Sequence, residues 1–278
     1  MSVTIPNEQA ALLAAICAEP DADAPRLVYA DWLQEHGDEQ QAQFIRDSIR
    51  LSVMPEATEG RKELRSRLLG LEGALGETWI KGVGLKVAPL GWERAGFERG
   101  LLEEAVYRDV RDFIAEGRVL FDRLPVRELT IAQKTAIYFD DLLTFAAMPE
   151  LAHLCSLSLN GNHHGLSPSC WEALIHSPHL SELRKFSATS ARLSDEHLIS
   201  LAACPNMAGL TSLDLSSNWM TTSDGHLAIL RSPHLAGLKT LSLANGDEPE
   251  NRELIDLVVA RFGSDAPLRR SVSDQSRR

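Results

Sequence analysis

The feature that most constrains the fold is an apolar motif that returns at nearly constant intervals in the second half of the chain. Its two clearest copies share three leucines and an asparagine: Leu154, Leu157, Leu159 and Asn162, then Leu210, Leu213, Leu215 and Asn218. Three looser copies keep the apolar positions: Val126, Leu129 and Ile131; Leu183, Phe186 and Ala188; Leu238, Leu241 and Leu243. The middle position advances by 28, 29, 27 and 28 residues. A fixed period of this size predicts a solenoid, in which each repeat forms one coil.

Each repeat is predicted to contain a short parallel strand followed by a helix. Side chains alternate between the two faces of a strand, so the leucines of each motif are expected to point into the core. The asparagine that follows can satisfy backbone groups where the chain turns. The structural positions predicted in this way are Leu157, Leu159, Asn162, Leu213, Leu215 and Asn218. Outer helices are predicted at about 139–147, 168–176, 195–203, 225–230 and 252–262, and four of them end at a proline: Pro149, Pro178, Pro205 and Pro233. Ser167 before Pro168, Ser194 before Asp195 and Ser223 before Asp224 are predicted to cap three of these helices.

This motif resembles the leucine-rich repeats, and its period with outer helices resembles their ribonuclease-inhibitor-like class. The resemblance implies an α/β solenoid shaped like a horseshoe, with parallel strands inside and helices outside. Three turns depart from the pattern, because Lys134, Ala191 and Gly246 stand where asparagine is expected. We expect those turns to be less regular.

The N-terminal segment is predicted to be helical. Helices are expected at 7–18 and 24–35, Asp38 is expected to cap a third helix, with Gln41 as its partner, and a fourth helix is expected at 61–75. Leu27, Val28, Trp32 and Leu33 are spaced to cover one face of the second helix. Residues Arg26–Leu33 read Arg-Leu-Val-Tyr-Ala-Asp-Trp-Leu. With the flanking residues of about 8–51, and with a later segment at 92–100, they resemble the bacterial repeat-companion domain. That resemblance implies a small α-helical module that precedes leucine-rich repeats, and it implies no catalytic residues.

These patterns predict four regions. Residues 1–75 form the helical domain, 76–123 a connector and N-terminal cap, and 124–263 about five repeats of 27–29 residues. Residues 264–278 are rich in serine and arginine and are predicted to be a disordered tail.

Composition limits the classes of partner. The net charge is −11 and the pI about 5.3, which disfavours nucleic acid and anionic membrane surfaces. No apolar run approaches the roughly 20 residues of a membrane helix, and residues 1–10 lack the features of a signal peptide. We therefore expect a cytoplasmic protein, monomeric and without a cofactor. The four cysteines show no metal-binding spacing and are expected to be small buried hydrophobes.

One candidate site lies in the helical segment, where Arg26, Tyr29, Asp31, Trp32 and His36 occur close together in sequence. The main interpretation is structural, with Trp32 in the core and Asp31 either on the helix surface or paired with Arg26. Contact with a partner is a second interpretation. The third is an acid–base site in which Asp31, Tyr29 and His36 line a pocket.

A second candidate is the strand face opposite the leucines, which solenoids commonly use to bind partners. Besides Ala132 and Ala244, the alternation assigns thirteen positions to this face: Glu128, Thr130, Ser156, Ser158, Asn160, Lys185, Ser187, Thr189, Ser212, Asp214, Ser216, Thr240 and Ser242. Most are serine or threonine, so the face is predicted to be small, polar and nearly neutral, without the aromatic and arginine anchors typical of binding hot spots.

The histidines and motifs give no enzyme signature. His197 and His226 occupy matching points of two Ser-Asp-x-His-Leu segments, and His163-His164 follows Asn162. Repetition along a solenoid separates such residues, so a metal site is not predicted. No G-x-S-x-G or H-E-x-x-H motif occurs.

The sequence thus predicts a non-catalytic protein-interaction module or scaffold. Two alternatives stay open: an enzyme or effector subunit with a site in the N-terminal helical domain, and a purely structural spacer. The identity of the partner does not follow from the sequence.

Overall fold

A computed structural model describes residues 6–85, 96–132, 138–161, 165–243, 251–264 and Leu268. In this part of the chain four helices come first, two strands follow, and helices and strands then alternate. The helices are α1 Asn7–Ala18, α2 Asp23–Glu35, α3 Glu39–Val53, α4 Arg61–Gly82, α5 Val110–Arg123, α6 Phe139–Ala146, α7 Pro168–Ile175, α8 Asp195–Ala203, α9 Ser223–Arg231 and α10 Arg252–Phe262. The strands are β1 Gly96–Glu98, β2 Leu101–Tyr107, β3 Glu128–Ile131, β4 Ser156–Leu159, β5 Lys185–Ser187, β6 Ser212–Asp214 and β7 Thr240–Ser242.

The seven strands form one mostly parallel sheet whose order follows the chain, from β1 to β7. Strands β1 and β2 form an antiparallel pair, whereas β4 through β7 run parallel to one another. In the parallel part, Leu157 pairs with Phe186, Phe186 with Leu213, and Leu213 with Leu241. The middle apolar residue of each motif therefore stands beside that of the next.

The chain divides into two compact units. The N-terminal unit contains Met1–Val106 and Ala115–Glu128, and the repeat unit contains Tyr107–Ile114 and Leu129–Arg278.

In the N-terminal unit, helix α2 buries a different face from the one that its apolar residues suggest. Of the predicted face, Leu33 is buried, but the prediction was wrong for Leu27 and Val28, which are 39% and 53% exposed. The buried stripe instead consists of Arg26, Tyr29, Ala30 and Leu33. Arg26 can be buried in this stripe because its guanidinium donates to Glu103 Oε1 at 2.6 Å. A charge that is paired in this way can be buried where an unpaired charge cannot.

Helix α4 is longer than predicted. The glycines after Leu75 suggest an end to the helix there, but α4 continues to Gly82. Gly76 lies close to Phe97 inside the helix: a Cβ at this position would lie 3.2 Å from the ring, which would have to shift by a few tenths of an ångström. Burial of Trp79 and Ile80 stabilises the additional turns. The boundary predicted at residue 75 therefore falls within a helix.

The core of this unit includes an aromatic cluster on α3, α4 and β1. The ring centroids of Phe44 and Trp79 lie 4.7 Å apart, and Phe97 approaches them at 5.8 and 6.2 Å. Leu68 completes the cluster. As predicted, α3 begins at a cap formed by Asp38, whose Oδ1 accepts a hydrogen bond from the backbone N–H of Gln41 at 3.0 Å.

In the repeat unit the strand leucines are buried. The motif residues at the middle and last apolar positions are all at most 7% exposed: Leu129, Ile131, Leu157, Leu159, Phe186, Ala188, Leu213, Leu215, Leu241 and Leu243. Three of the prolines, Pro149, Pro178 and Pro205, each begin a short 3₁₀ turn after a helix. These turns lead the chain back toward the next strand.

Asn218 satisfies backbone groups on two neighbouring repeats, as its position in the motif predicts. It is 0% exposed. Its Oδ1 accepts from the N–H groups of Ala191 and Leu193 at 3.0 and 3.1 Å, and its Nδ2 donates to the carbonyl oxygens of Ala188 and Leu215, both at 2.8 Å. The turn at Ala191, which has no asparagine of its own, is thus held by the asparagine of the next repeat.

The N-cap residues of the outer helices α7 and α8 are the predicted ones, and that of α9 differs. Ser167 caps α7 by accepting from the N–H of Cys170, and Ser194 caps α8. Helix α9 was expected to be capped by Ser223, but its cap is Thr222. Thr222 takes this place because the carboxylate of Asp195 in the preceding repeat binds both its N–H and its hydroxyl, at 2.7 and 2.6 Å.

Several predicted features lie outside the described residues. They are Asn162, His163, His164, Lys134, Gly246 and positions 92–95. Within the tail predicted to be disordered, the structure describes Ser264 and Leu268, and Leu268 is 5% exposed.

Replacing Leu213 by Ala should destabilise the repeat unit by about 2–5 kcal/mol, because a fully buried leucine leaves a cavity that its neighbours refill only in part. The side chain is 1% exposed and stands between Phe186 and Leu241. Urea denaturation measures the change. Ser212→Ala on the opposite face of the same strand is the control and should change stability by less than about 1 kcal/mol. Equal losses in both variants would contradict this assignment of faces.

Candidate functional site

The thirteen positions predicted on the strand face are accessible to different degrees. Lys185 and Thr240 are exposed, and the other eleven are half-buried. Glu128 belongs to the N-terminal unit, and the other twelve belong to the repeat unit. We call these twelve the polar strand face. Its residues alternate along the strands with the buried leucine positions, so the face runs across β4 to β7 without interruption.

Hydrogen bonds between strands hold this face in place. Asn160 Oδ1 accepts from Ser187 Oγ at 3.0 Å and from Thr189 Oγ1 at 2.9 Å, while its Nδ2 donates to Ser158 Oγ at 2.8 Å. The sequence identified these residues but not their mutual contacts, because the contacts depend on the register of adjacent strands. The network makes the centre of the face rigid and engages many of its polar groups.

A more prominent feature follows β6. Trp219 is 64% and Met220 45% exposed, and the guanidinium carbon of Arg192 lies 5.4 Å from the centroid of the Trp219 ring. We call these three residues the Trp219 edge. The periodicity of the sequence does not mark these residues as a site, although tryptophan and arginine are among the residues most enriched in binding hot spots. The signal available in sequence was the position of Trp219 directly after the motif asparagine, outside the strand and the helix.

The five candidate residues of α2 do not converge on one point. Arg26 is buried and pairs with Glu103 rather than with Asp31, which instead accepts from Arg46 Nη2 at 2.6 Å. Of the two positions predicted for Asp31, the helix surface is confirmed, and the pair with Arg26 is wrong. The physical reason is that Arg26 lies on the buried face of the helix and Asp31 on the exposed one.

The aromatic members of the same group are stacked against one another. Tyr29 is 0% exposed, and its hydroxyl accepts from Gln9 Nε2 at 3.1 Å. Burial raises the pKa of Tyr29. Trp32 was expected in the core but is half-buried, with its ring 6.0 Å from that of Tyr29 and 4.0 Å from that of His36. His36 covers Trp32 on the exposed side, and its Nδ1 lies 2.8 Å from the Trp32 carbonyl oxygen.

Two cavities are described in the N-terminal unit, and the residues that line them do not include Tyr29, Asp31 or His36. The first, of ≈ 310 Å³, is lined by residues of 50–67. The second, of ≈ 260 Å³, has an apolar floor that includes Phe44 and Phe97, and Glu72 and Glu98 are among its polar groups. Burial, together with the nearby charge of Glu98, raises the pKa of Glu72 to about 7. Glu72 could not be predicted as a titrating group, because the residues around it come from three separate elements, α3, α4 and β1.

Two successive side-chain contacts join a cysteine, a histidine and a glutamate at α7 and the end of α8. Cys204 Sγ lies 3.7 Å from His176 Nδ1, and His176 Nε2 lies 3.0 Å from Glu172 Oε2. This arrangement has the connectivity of a nucleophile with its base. However, Cys204 is 0% exposed and its thiol donates to the Ile175 carbonyl oxygen at 3.2 Å. Burial also raises its pKa, so the group is a shielded thiol that joins two helices.

The two histidines at matching repeat positions have local roles. His197 Nδ1 accepts from the Ser194 N–H at 3.1 Å, and its Nε2 lies 2.9 Å from the Leu166 carbonyl oxygen. His226 Nε2 lies 3.1 Å from Thr221 Oγ1, and burial lowers the His226 pKa. Among the described residues, histidine, cysteine and carboxylate side chains form no group of three that could hold a metal ion.

Comparison with protein-family models, with curated proteins and with solved structures finds no match to this chain. Among the helices that the structure describes, none has the length and apolar character needed to cross a membrane.

We predict that Glu72 contributes stability to the N-terminal unit that is lost as the pH rises from about 4 to 7. The folded-state pKa of Glu72, about 7, is above its unfolded value near 4.3. The folded state therefore binds the proton more tightly, and its stabilisation is complete below the unfolded pKa and is lost as the pH rises through the folded one. Allowing for solvent screening, Glu72→Gln should remove roughly 1–2 kcal/mol of this pH dependence.

Urea denaturation at several pH values, followed by tryptophan fluorescence, checks this expectation. Glu77→Gln on the same helix is the matched control, because Glu77 is exposed and pairs with Lys81. A pH profile that Glu72→Gln leaves unchanged would show that the carboxyl is already ionised in the folded protein.

Proposed function

We propose that this protein is a non-catalytic protein-binding module. In the proposal, a leucine-rich-repeat solenoid of the ribonuclease-inhibitor-like class follows a helical domain related to the bacterial repeat-companion domain. The observation that carries the proposal is the continuous surface across β4 to β7. Each repeat contributes only a three- or four-residue strand, so this surface exists only where several repeats stand in register. Surfaces built in this way are what repeat proteins use to bind partners.

Three features support the leucine-rich-repeat class. The first is the in-register parallel pairing of the motif residues Leu157, Phe186, Leu213 and Leu241. The second is the asparagine at 218, which is saturated with backbone hydrogen bonds from its own and the preceding repeat. The third is the helix in each repeat, which pairs with the helices of adjacent repeats.

A protein partner fits the surface chemistry better than the other classes. The net charge of −11 repels the phosphates of nucleic acid. The polar strand face is nearly neutral, and its hydroxyl and amide groups suit the mixed polar contacts of a protein interface. The exposed Trp219 and Met220 favour binding over a purely structural spacer, because exposed large apolar side chains that lie together commonly mark interaction sites.

The alternative of an enzyme site in α2 requires Tyr29, Asp31 and His36 to share a pocket. Tyr29 is buried, Asp31 is paired with Arg46, and His36 is stacked on Trp32. These positions favour roles in packing and helix–helix contact, and the binding module is accordingly the function that we propose.

Site-specific photo-crosslinking in cells of the source organism tests this function. A photoreactive phenylalanine analogue at Thr240, an exposed position of the polar strand face, should form a covalent adduct with another protein. The same analogue at Ile199, 51% exposed on α8, is the control and should form none. Mass spectrometry identifies the adducts. Absence of a protein adduct at Thr240 and at Ser212, under conditions in which the analogue is incorporated and the chain is folded, would contradict the proposed function.

A further inference from the structure

The polar strand face contains an asparagine that is followed directly by a glycine, Asn160-Gly161. In such a pair the backbone nitrogen of the glycine can attack the side-chain carbonyl carbon of the asparagine, because glycine has no side chain to obstruct the approach. The new C–N bond closes a succinimide ring, and the side-chain nitrogen leaves as ammonia with the proton lost by the backbone nitrogen. Water then opens the ring at either carbonyl and leaves aspartate or isoaspartate.

The geometry of the repeat explains why a glycine follows Asn160. Gly161 has φ 73°, and the residues at the same point of the next two repeats, Ser190 and Ser217, have φ 53° and 60°. The chain therefore adopts a left-handed conformation after β4, β5 and β6, and glycine is the residue that adopts it without steric cost. The turn that follows β4 thus places a chemically reactive pair at the polar strand face.

Hydrogen bonds to the neighbouring strand hold the carboxamide of Asn160, which is the electrophile of this reaction. Its Oδ1 accepts from Ser187 Oγ at 3.0 Å and from the N–H and Oγ1 of Thr189 at 3.3 and 2.9 Å. Its Nδ2, the atom that would leave as ammonia, donates to Ser158 Oγ at 2.8 Å. These bonds restrain the side chain, but three donors on Oδ1 would also stabilise negative charge that develops there during an attack.

The hydrogen bond of the nucleophile decides between these opposing effects. The Gly161 N–H donates to the Thr189 carbonyl oxygen at 3.0 Å, which joins the turn after β4 to the next repeat. Succinimide formation begins when base removes this proton, the same first step as in amide hydrogen exchange. A backbone N–H that is bonded between repeats gives up its proton when the structure opens locally. The attack therefore cannot start while the two turns stay together, whatever stabilises the carbonyl oxygen.

We propose that Asn160 is a site of spontaneous deamidation that the stacking of the repeats suppresses, so that the reaction proceeds when the turn after β4 separates from the turn after β5. The product replaces the amide with a carboxylate, so it loses the donor to Ser158 and adds a negative charge to the polar strand face at neutral pH. Isoaspartate also lengthens the backbone by a methylene group, which alters the turn. This inference rests on the fold and goes beyond the proposed binding function.

Peptide mapping by mass spectrometry, in water enriched with heavy oxygen, measures the reaction on the full-length chain. At neutral pH, Asn160 should incorporate heavy oxygen at least about 10-fold more slowly in the folded chain than in urea, because only the small open fraction reacts. In urea the pair Asn245-Gly246, which lies outside the described residues, is the internal standard and should react at a similar rate. Equal rates at Asn160 in both states, or no reaction at Asn160 in urea, would overturn the proposal.

Two substitutions in the neighbouring repeat make the test specific. Ser187→Ala combined with Thr189→Val removes two hydroxyl donors to Asn160 and leaves the sequence around Asn160 unchanged. The turns should open more easily, so the folded chain should deamidate at least about 3-fold faster, while the rate in urea should not change. Hydrogen exchange of the Gly161 N–H should accelerate by the same factor, because both reactions pass through the same opening.

Thr211→Val is the matched control, since the Thr211 hydroxyl donates to the Arg184 carbonyl oxygen and not to Asn160. Its rate of deamidation should equal that of the parent chain in both states, and circular dichroism verifies that each variant folds. A slower reaction in the double variant would show that the hydroxyls promote the attack by stabilising the charge on Oδ1. That outcome would overturn the proposal, as would deamidation of the folded chain without exchange of the Gly161 N–H.

Discussion

The repeat unit depends on apolar side chains that stand side by side on adjacent parallel strands. Leu157, Phe186, Leu213 and Leu241 are in register and buried. A strand of three or four residues cannot bury such a side chain by itself, so each repeat completes the core of its neighbours. Contacts between the helices follow the same rule, since Trp171 Nε1 donates to the His197 carbonyl oxygen of the next repeat at 2.8 Å. The register of the adjacent strands therefore determines which side chains form the polar strand face and where the Trp219 edge lies.

Much of the repeat unit could be predicted from the sequence because its signals are local and recur. The spacing of leucines gave the strands and the buried side of each, and serines before a proline or an acidic residue gave the starts of α7 and α8. Asn218 was predicted correctly because its role depends on the turn that it occupies. The hydrogen bonds of Asn160 could not be predicted, since they join β4 to residues 27 and 29 positions later. The exposure of Trp219 was not predicted, because the periodicity of apolar residues predicts burial within strands and helices but not in the loop between them.

The N-terminal unit shows where local patterns are insufficient. Arg26 has its carboxylate partner 77 residues away, on β2, so the sequence suggested the nearer Asp31 and assigned the wrong face of α2 to the core. The glycines after Leu75 suggested that α4 ends there, but the helix continues to Gly82. The ring of Phe97 packs close to Gly76, where the helix carries no side chain. In both cases a contact between distant segments determines the local structure.

Disulfide trapping measures the register on which this account depends. In a chain whose four native cysteines are replaced, Ser158→Cys with Ser187→Cys places thiols on directly paired residues of β4 and β5. Such residues stand at a separation that a disulfide can span. Ser158→Cys with Asp214→Cys places them two strands apart. The account predicts rapid oxidation of the first pair within the folded monomer and none of the second. Oxidation of the second pair in preference to the first would contradict it.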